Sequence, residues 1–499
     1  DLSTKFGSRL HKLTVPGFTA SPKRNDDHGV VVASFLGGVK EGVAKNVELY
    51  AIDAAKQNNE GKTYPEISLS MYQALDNAGV KIYNQSFGVD SDVTKFSSSS
   101  TASNYYGNQI GNDILAFYKD AVNNKGALFI WAAGNNSLDK NPSLESSLPY
   151  FDNTLQKGWI NVVSLTSKKV SDLGDTSWDN LTALTPAGVA KNWTVTVVGD
   201  QIFEIKGQRY VGSGSSYAAP VVSGTAALLK EKYPWMDASL IRQTILSTAT
   251  DIGASGVDEV YGWGLLNIDK ALKGPALFSK ELALSDNVSI NIPSGSYTFS
   301  NDISGDAGVI KDGAGDLILS GNSTFTGDTT VNNGRLQVNG VYASSINVRR
   351  QAILSTNSAI IKNNIKNDGT IENFGSTEVA GNYESLENSR IVTDLNSNIH
   401  VKGKVNLNNS KLEVKPEQNG ERKYITSNGT VQNVITSDDK IQGNVTDVNT
   451  DEMLNTKIDQ TENSVSAKVS RKNVLDYVEK ISESDEMQKN TAQNLETAF

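Results

Sequence analysis

Before residue 274, apolar and polar positions alternate with two different periods. Short apolar runs rich in β-branched residues predict buried strands, at 47–52, 80–83, 127–132 and 160–163. Longer segments with apolar residues at helical spacing predict helices, at 69–78, 111–123, 218–233 and 238–249. Strands that alternate with helices in this order predict an α/β domain built on a parallel sheet.

The pattern changes at Gly274–Pro275, after which the helical period disappears as far as residue 464. Short alternating strands follow one another, separated by Gly, Asn, Ser, Thr and Asp. The stretch 313–340 is the most regular, and three pairs of alternate residues share one face there, namely Leu317/Leu319, Thr329/Val331 and Leu336/Val338. This pattern predicts a β-solenoid of stacked rungs. A β-sandwich and a low-complexity linker are the alternatives.

The last stretch, 465–499, is predicted to be helical, because Val474, Val478 and Ile481 recur on one face among charged neighbours. The sequence therefore predicts three regions. They are an α/β domain at 1–274, a β-solenoid at 275–464 and a helical segment at 465–499.

Charge and composition narrow the possible functions. The 499 residues hold 46 Lys and Arg against 56 Asp and Glu, a net charge of −10, which argues against a nucleic-acid or anionic-membrane binder. Cysteine is absent, which excludes disulfides, zinc–thiolate sites and thiol nucleophiles. No apolar run is long enough for a transmembrane helix and no signal peptide is recognisable. The chain begins at Asp1 in the middle of a pattern, so we expect it to be a fragment.

The strongest chemical signal is Ser216, which lies among small residues in Gly-Ser-Ser-Tyr-Ala-Ala-Pro (214–220) directly before an Ala- and Leu-rich helix. A hydroxyl at a helix N-terminus is well placed where negative charge develops, although an isolated serine there could be an ordinary cap. A serine nucleophile needs a base, and histidine is the usual one. Of the three histidines, His28 has a suitable context, whereas His11 and His400 do not.

Residues 214–220 resemble the nucleophile motif of the subtilisin-like serine proteases. Three further segments resemble motifs of that family in the same order, at 27–34 (the histidine motif), 131–135 (the oxyanion-hole motif) and 261–267 (the closing Gly-rich segment). Segments 42–44 and 84–88 add support. The resemblance implies a doubly wound parallel sheet and a serine endopeptidase that acts through an acyl-enzyme. It assigns Ser216 as nucleophile, His28 as base and Asn135 as oxyanion donor.

The resemblance also implies two peptide-binding edges whose backbones pair with an extended substrate. They are Ser86, Phe87 and Gly88, and Ala132, Ala133 and Gly134. No cofactor is expected. No metal ligands are identified, and calcium is suggested by the family resemblance alone.

The chain departs from the family pattern in two places. Gly29–Val30 stands where the family has Gly–Thr. The aspartate of the catalytic triad is not evident, because Asp26 and Asp27 lie too close to His28 in the sequence. We expect that aspartate to lie upstream of Asp1. Without it the histidine tautomer is not fixed, at a cost of about four orders of magnitude in turnover, so we expect the fragment to be nearly inert.

Residues 313–340 resemble the passenger repeat of autotransporters, with Leu-x-Leu-Ser-Gly-Asn and Thr-Phe-Thr-Gly elements. This resemblance implies a right-handed β-solenoid passenger stalk, then a helical linker at 465–499 leading to a missing outer-membrane barrel. It also implies an extracellular or cell-surface location, protein or peptide substrates, and contact with the outer membrane through that barrel. No nucleic-acid partner is expected, because the net charge is negative. The alternative is a non-catalytic surface adhesin or binding protein with a degenerate protease head.

Overall fold

The computed structural model describes residues 2–21, 27–106, 110–168, 181–205, 207–418, 420–448, 451–480 and 484–498. The chain forms two compact units. The first comprises Asp1–Pro275 and Glu281–Leu284, and the second comprises Ala276–Lys280 and Ser285–Phe499. Among the described helices, none has the length and apolar character needed to cross a membrane.

The first unit is built on a central sheet of four parallel strands and one antiparallel strand. The parallel strands are Ile82–Gln85, Leu128–Ala132, Trp159–Ser167 and Thr194–Val198, and Leu181–Ala183 runs antiparallel to the end of the third. The predicted parallel α/β sheet is therefore present. The predicted strand at 47–52 is observed as Leu49–Ile52, but it pairs with Leu10–Leu13 in a separate two-stranded sheet.

Helices surround this sheet, and each of the four predicted in this unit is present. The helices are Leu2–Phe6, His28–Gly37, Leu69–Asn77, Ser99–Tyr106, Asn112–Lys125, Ser215–Lys232, Ala238–Ser247 and Ile268–Ala271. Two antiparallel hairpins complete the unit, Ala55–Gln57 with Thr63–Pro65 and Gln201–Ile205 with Gln208–Gly212. Aromatic side chains fill the core, where Trp131 stacks on Trp159 with ring centroids 5.4 Å apart.

Two helices carry the candidate chemistry, and we call His28–Gly37 the histidine helix and Ser215–Lys232 the serine helix. They pack closely because Gly224 has no side chain. A Cβ at Gly224 would lie 2.7 Å from the carbonyl oxygen of Leu36 and 2.7 Å from Cβ of Val43. The glycine thus permits the close approach of the two helices.

The second unit consists mainly of parallel strands that stack from one turn of the chain to the next. Eight of them form one sheet, in the order Asn287–Asn291, Gly308–Asp312, Thr329–Val331, Ile346–Val348, Ile365–Asn367, Tyr383–Ser385, Val405–Asn406 and Ile441–Gln442. Val309 thus lies beside Thr329, and Thr329 beside Ile346. The six alternating residues noted between 317 and 338 are all buried.

A thirteen-strand sheet lies in the same unit. Its members are Ser296–Phe299, Asp316–Leu319, Gly334–Tyr342, Ala352–Ile361, Thr370–Phe374, Ser376–Val379, Arg390–Thr393, Asn398–Val401, Ser410–Val414, Thr430–Ser437, Val445–Asp447, Leu454–Gln460 and Ser464–Arg471. Smaller pairs are Leu277–Phe278 with Ser304–Gly305 and Glu417–Gln418 with Glu421–Arg422. The short helix Lys280–Ala283 lies near the start of the β-rich region. A role of this region as a passenger stalk stays a prediction.

The predicted helical segment at 465–499 is wrong in its first part. Ser464–Arg471 is a strand, antiparallel to Leu454–Gln460 and to Thr430–Ser437. Its residues alternate with a period of two, so that Val465, Ala467 and Val469 are buried. Two helices follow, Val474–Glu479 and Glu486–Ala498. Ile481, on the apolar face of the predicted helix, lies outside the described residues.

Candidate active site

The candidate site residues meet where two neighbouring parallel strands end. Ser86 directly follows Ile82–Gln85, and Asn135 comes three residues after Leu128–Ala132. The carboxyl ends of parallel strands meet at one edge of the sheet, where ligand sites of α/β folds form. The serine helix begins at the same edge, as its hydrogen bonds to both strand ends show.

The start of the serine helix fixes the orientation of the Asn135 side chain. Oδ1 of Asn135 accepts hydrogen bonds from the Ser215 backbone N–H (2.8 Å) and the Ser215 hydroxyl (3.0 Å). A backbone N–H can only donate, so the amide atom facing it is the oxygen. Nδ2 therefore points away from Ser215, and no acceptor for it occurs among the described residues. The amide nitrogen is thus available to donate to an oxyanion.

Two glycines make this arrangement possible. Gly214 has φ +151° and precedes the first residue of the serine helix, and a Cβ there would lie 3.3 Å from Oδ1 of Asn135. Gly134 has φ +127°, and its N–H donates to the Ser215 hydroxyl at 3.1 Å. Both backbones adopt conformations that side chains other than glycine rarely reach.

Ser216 is joined to Ser86 by two reciprocal hydrogen bonds. The Ser216 hydroxyl donates to the Ser86 carbonyl oxygen at 3.2 Å, and the Ser86 hydroxyl donates to the Ser216 carbonyl oxygen at 2.8 Å. The second bond has a cause in the sequence. Pro220 lies four residues after Ser216 and has no N–H, so it cannot supply the helical hydrogen bond to that carbonyl. Ser86 replaces the missing donor.

A chain of side-chain hydrogen bonds continues from Ser86 back to the serine helix. Nδ2 of Asn84 donates to the Ser86 hydroxyl at 3.0 Å, and the Ser223 hydroxyl donates to Oδ1 of Asn84 at 2.9 Å. This chain fixes the rotamer of Ser86. Sequence reasoning did not assign a role to Ser223, although a proline inside a predicted helix signals that a donor must come from elsewhere.

His28 is the first residue of the histidine helix. Its ring lies near that of Tyr217, the residue that follows Ser216. Its ring centroid is 5.8 Å from that of Tyr217, which also lies 5.8 Å from Phe35 and 5.8 Å from Phe203. The Ser216 hydroxyl is directed to Ser86 in this structure. If His28 accepted the proton of this hydroxyl, the serine side chain would first have to rotate, and such looser geometry is common before substrate binds.

The other two histidines have local contacts away from the candidate site. Nε2 of His11 lies 2.6 Å from Oε2 of Glu48, and its ring stacks on Tyr50 at 4.5 Å. His400 lies in the second unit, where Nδ1 is 3.0 Å from the Thr436 hydroxyl.

The two expected peptide-binding edges differ in what they can offer a substrate. Phe87 packs edge-on against Trp131 at 5.8 Å, and Gly88 is exposed. Ala133, by contrast, donates its N–H to Val162 at 3.0 Å and accepts from the Ser143 N–H at 2.7 Å. The Ala133 N–H is therefore already paired, whereas its carbonyl oxygen accepts one hydrogen bond and keeps a second lone pair.

Ala132 and Gly134 belong to the same edge. The Ala132 carbonyl accepts a hydrogen bond from the Ser143 hydroxyl at 3.2 Å. Ala132 is buried, whereas Gly134 is partly exposed. Pairing of this edge with the backbone of an extended peptide stays a prediction.

Burial changes the ionisation of one acidic group close to both edges. Glu145 is buried, and desolvation raises the pKa of its carboxyl to about 7. Sequence reasoning missed this residue, because one glutamate in a Ser-rich loop carries no pattern. Within the described ranges, no three His, Asp or Glu side chains are grouped so as to hold a metal ion. The expectation about calcium stays untested.

Comparison with known proteins identifies the family of the chain. The Subtilase family profile matches residues 9–264, and the passenger-associated-transport-repeat profile matches residues 309–338. The Neisserial autotransporter lipoprotein NalP of Neisseria meningitidis is 29% identical over 392 residues, covering 73% of this chain and 34% of the relative.

Two further relatives each match about half of the chain. An extracellular serine protease of Serratia marcescens is 30% identical over 285 residues, covering 46% of this chain and 26% of its own. The serotype-specific antigen 1 of Mannheimia haemolytica is 31% identical over 301 residues, covering 58% and 29%. The aligned parts span 26% to 34% of these three relatives' lengths. Because the Subtilase profile matches more than half of the chain, this chain belongs to the subtilase family of serine proteases.

Proposed function

We propose that the first unit is the catalytic head of a serine endopeptidase, with Ser216 as nucleophile, His28 as base and Asn135 as oxyanion donor. The observation that carries the proposal is the fixed amide of Asn135. Its oxygen is held by Ser215, so its nitrogen is already oriented as a donor before any substrate is present. A preorganised donor of this kind stabilises negative charge without reorganising when the charge forms.

The proposed reaction passes through an acyl-enzyme. The Ser216 oxygen attacks the peptide carbonyl carbon while His28 accepts the hydroxyl proton, and the resulting oxyanion accepts a hydrogen bond from Asn135. The carbon–nitrogen bond then breaks as His28 returns the proton to the leaving amine. Water, deprotonated by His28, hydrolyses the ester and releases Ser216. The N-terminus of the serine helix favours the negative charge in both tetrahedral steps.

We further propose that the protein is exported by autotransport and acts at the cell surface or outside the cell on protein or peptide substrates. The match to the passenger-associated-transport repeat supports this, as do relatives named as an autotransporter and as an extracellular protease. Contact with the outer membrane would be made by a C-terminal barrel like that expected from the resemblance. Calcium binding stays a suggestion from the family.

A non-catalytic surface-binding protein is the second candidate. The observation that favours it is the Ser216 hydroxyl, which is hydrogen-bonded to a carbonyl oxygen of Ser86 rather than to a base. The two candidates differ in whether Ser216 can become a nucleophile.

Covalent labelling of the complete protein with a fluorophosphonate tests the proposal. We expect labelling of the wild type, no labelling of Ser216→Ala, and full labelling of Ser100→Ala, which alters an exposed serine in the same unit. Correctly folded complete protein that does not react would favour the binding protein. The position of the triad aspartate stays a prediction, and the codons upstream of Asp1 test it directly.

A further inference from the structure

The strand Leu454–Gln460 lies at the margin of the thirteen-strand sheet, and we call it the outer strand. It pairs antiparallel with Ser464–Arg471 on one side, and among the described residues it pairs with no other strand. A strand with one free side presents a row of backbone N–H and C=O groups that another strand can use as a template. The outer strand is thus a candidate interaction surface.

The existing hydrogen bonds show which residues of the outer strand face its free side. At one end, the Lys472 N–H donates to the Met453 carbonyl at 2.8 Å. At the other end, the Thr461 N–H donates to the Ser464 carbonyl at 2.8 Å. Both bonds join odd-numbered positions of this segment to the neighbouring strand, in the register of the strand pair. Because antiparallel bonding alternates along a strand, the even-numbered residues of the outer strand direct their backbone groups to the free side.

Three residues therefore offer backbone groups on the free side, Thr456, Ile458 and Gln460. Their side chains are half-buried. In the part of the chain that the structure describes, their backbones form no hydrogen bond outside the strand pair. The residues between them, Lys457 and Asp459, have exposed side chains, and Nζ of the lysine lies 3.6 Å from Oδ1 of the aspartate. The free side thus combines unused backbone groups with two exposed charges of opposite sign.

The order of these charges suits a second copy of the same strand. When two identical strands pair antiparallel about Ile458, residue 457 of each copy lies opposite residue 459 of the other. Lys457 then faces Asp459 twice, once on each side of the two-fold axis. Opposite charges that face each other directly stabilise a strand pair, and side chains approach most closely at positions that share no hydrogen bond between the strands. Residues 457 and 459 would occupy such positions.

The neighbouring registers are unfavourable for the same two residues. Pairing about Lys457 would place this lysine opposite its own copy, and pairing about Asp459 would place the aspartate opposite its own copy. Like charges directly opposite each other destabilise a strand pair, and charged residues on a free strand commonly prevent self-association in this way. The order of the two charges therefore favours pairing about Ile458 over either neighbouring register.

We propose that the outer strand is a self-association site, at which two copies of this chain pair antiparallel about Ile458. Thr456 and Gln460 of each copy then exchange backbone hydrogen bonds with Gln460 and Thr456 of the other. A single strand pair is small beside the about 1,200–2,000 Å² that stable complexes bury, so the dimer is weak and depends on concentration. The site is independent of the proposed protease function, because the outer strand belongs to the second unit.

Analytical ultracentrifugation of charge-reversed variants tests the proposal. We expect the wild type to dimerise with a dissociation constant of about 10–100 μM. Lys457→Asp would place aspartates opposite each other and Asp459→Lys would place lysines opposite each other, so each variant alone should dimerise about tenfold or more weakly. An equal mixture of the two variants should associate again, because every charge then faces its opposite. Lys411→Asp is the control, at an exposed lysine on a strand that is paired on both sides.

Crosslinking through a single introduced cysteine tests the register. The chain has no cysteine of its own. In the proposed register position 458 lies opposite itself with Cα atoms about 5.5 Å apart, which is within disulfide range, so Ile458→Cys should crosslink on oxidation. Thr456→Cys should not, because the two copies of position 456 lie about 13 Å apart along the strand pair.

The proposal is overturned if the wild type stays monomeric up to about 1 mM, if the charge-reversed variants dimerise as tightly as the wild type, or if their mixture does not associate. It is also overturned if Lys411→Asp weakens the dimer as much as they do, or if Thr456→Cys crosslinks and Ile458→Cys does not. The charge reversals lie at exposed residues, so this test does not require that a substitution at the half-buried Ile458 folds.

Discussion

Replacing Ser86 with alanine should destabilise the first turns of the serine helix. The Ser86 hydroxyl is the donor that satisfies the Ser216 carbonyl at 2.8 Å, and Pro220 has no N–H to replace it. In Ser86→Ala this half-buried carbonyl loses its partner. The alanine also leaves Nδ2 of Asn84 without its acceptor at 3.0 Å.

The expected size of the effect follows from the cost of an unsatisfied polar group. A buried acceptor that loses its donor costs about 1–3 kcal/mol. Ser216 is partly exposed, so water compensates in part and we expect the loss to be about 1–2 kcal/mol in the free energy of unfolding. The labelling rate of Ser216 should fall as well, because the nucleophile lies in the loosened turn.

Pro220→Ala provides the matched background for a double-mutant cycle. Alanine restores an N–H four residues after Ser216, so the carbonyl regains a helical donor and Ser86→Ala should cost less there. We expect a coupling of about 1 kcal/mol between the two positions. Urea unfolding followed by tryptophan fluorescence measures it, since all six tryptophans precede residue 275. Ser100→Ala, at an exposed serine, is the control.

Two results would refute this reasoning. One is a cycle in which the two substitutions are additive within about 0.5 kcal/mol, since independent sites behave in that way. The other is a Ser86→Ala variant as stable as the Ser100→Ala control.

Three further predictions concern single groups. Asn135→Asp keeps the acceptor for Ser215 but loses the amide donor. Labelling or turnover of the complete protein should therefore fall about 10²–10³-fold, as when an oxyanion donor is removed from subtilisin. Unchanged activity would exclude Asn135 as the oxyanion donor. The pKa of Glu145 is raised from 4.5 to about 7 by burial, so the folded state binds its proton more tightly than the unfolded state does. Stability should therefore rise by about 3 kcal/mol as pH falls from about 8 to about 4.5, and Glu145→Gln should lose this slope in urea unfolding. Lys311 is buried in the second unit, where Nζ donates to the carbonyls of Asp312 (2.9 Å), Gly313 (2.9 Å) and Asn333 (3.1 Å). Lys311→Met should destabilise that unit by about 1–3 kcal/mol in thermal unfolding, whereas Lys366→Met, at an exposed lysine, should not.

Local sequence patterns predicted much of this protein. The helical period and the β-branched runs gave the parallel sheet and its helices, because both periodicities report which side of an element is buried. The small residues around Ser216 and the Ala-Ala-Gly before Asn135 made these two motifs recognisable. The regular alternation at 313–340 likewise predicted the buried positions of the stacked strands, since each rung repeats the same local requirement.

The tertiary structure decided what depends on partners distant in the chain. The shared face of Val474, Val478 and Ile481 predicted a helix from residue 465 onward. Pairing with Leu454–Gln460 instead makes Ser464–Arg471 a strand. Likewise, the Ala133 N–H donates to Val162 in the neighbouring strand Trp159–Ser167.

The difference between what local sequence predicts and what tertiary structure decides is clearest at the candidate site. The sequence by itself identified Ser216 as the candidate nucleophile. It also placed Pro220 four residues later, and because proline has no N–H, the Ser216 carbonyl needs a donor from elsewhere. It could not say which residue supplies that donor, because Ser86 lies 130 residues away. Nor could it show that Glu145 lies buried beneath Gly88. Both facts depend on which loops the sheet brings together, since hydrogen bonding and desolvation act through space and leave no periodic trace along the chain.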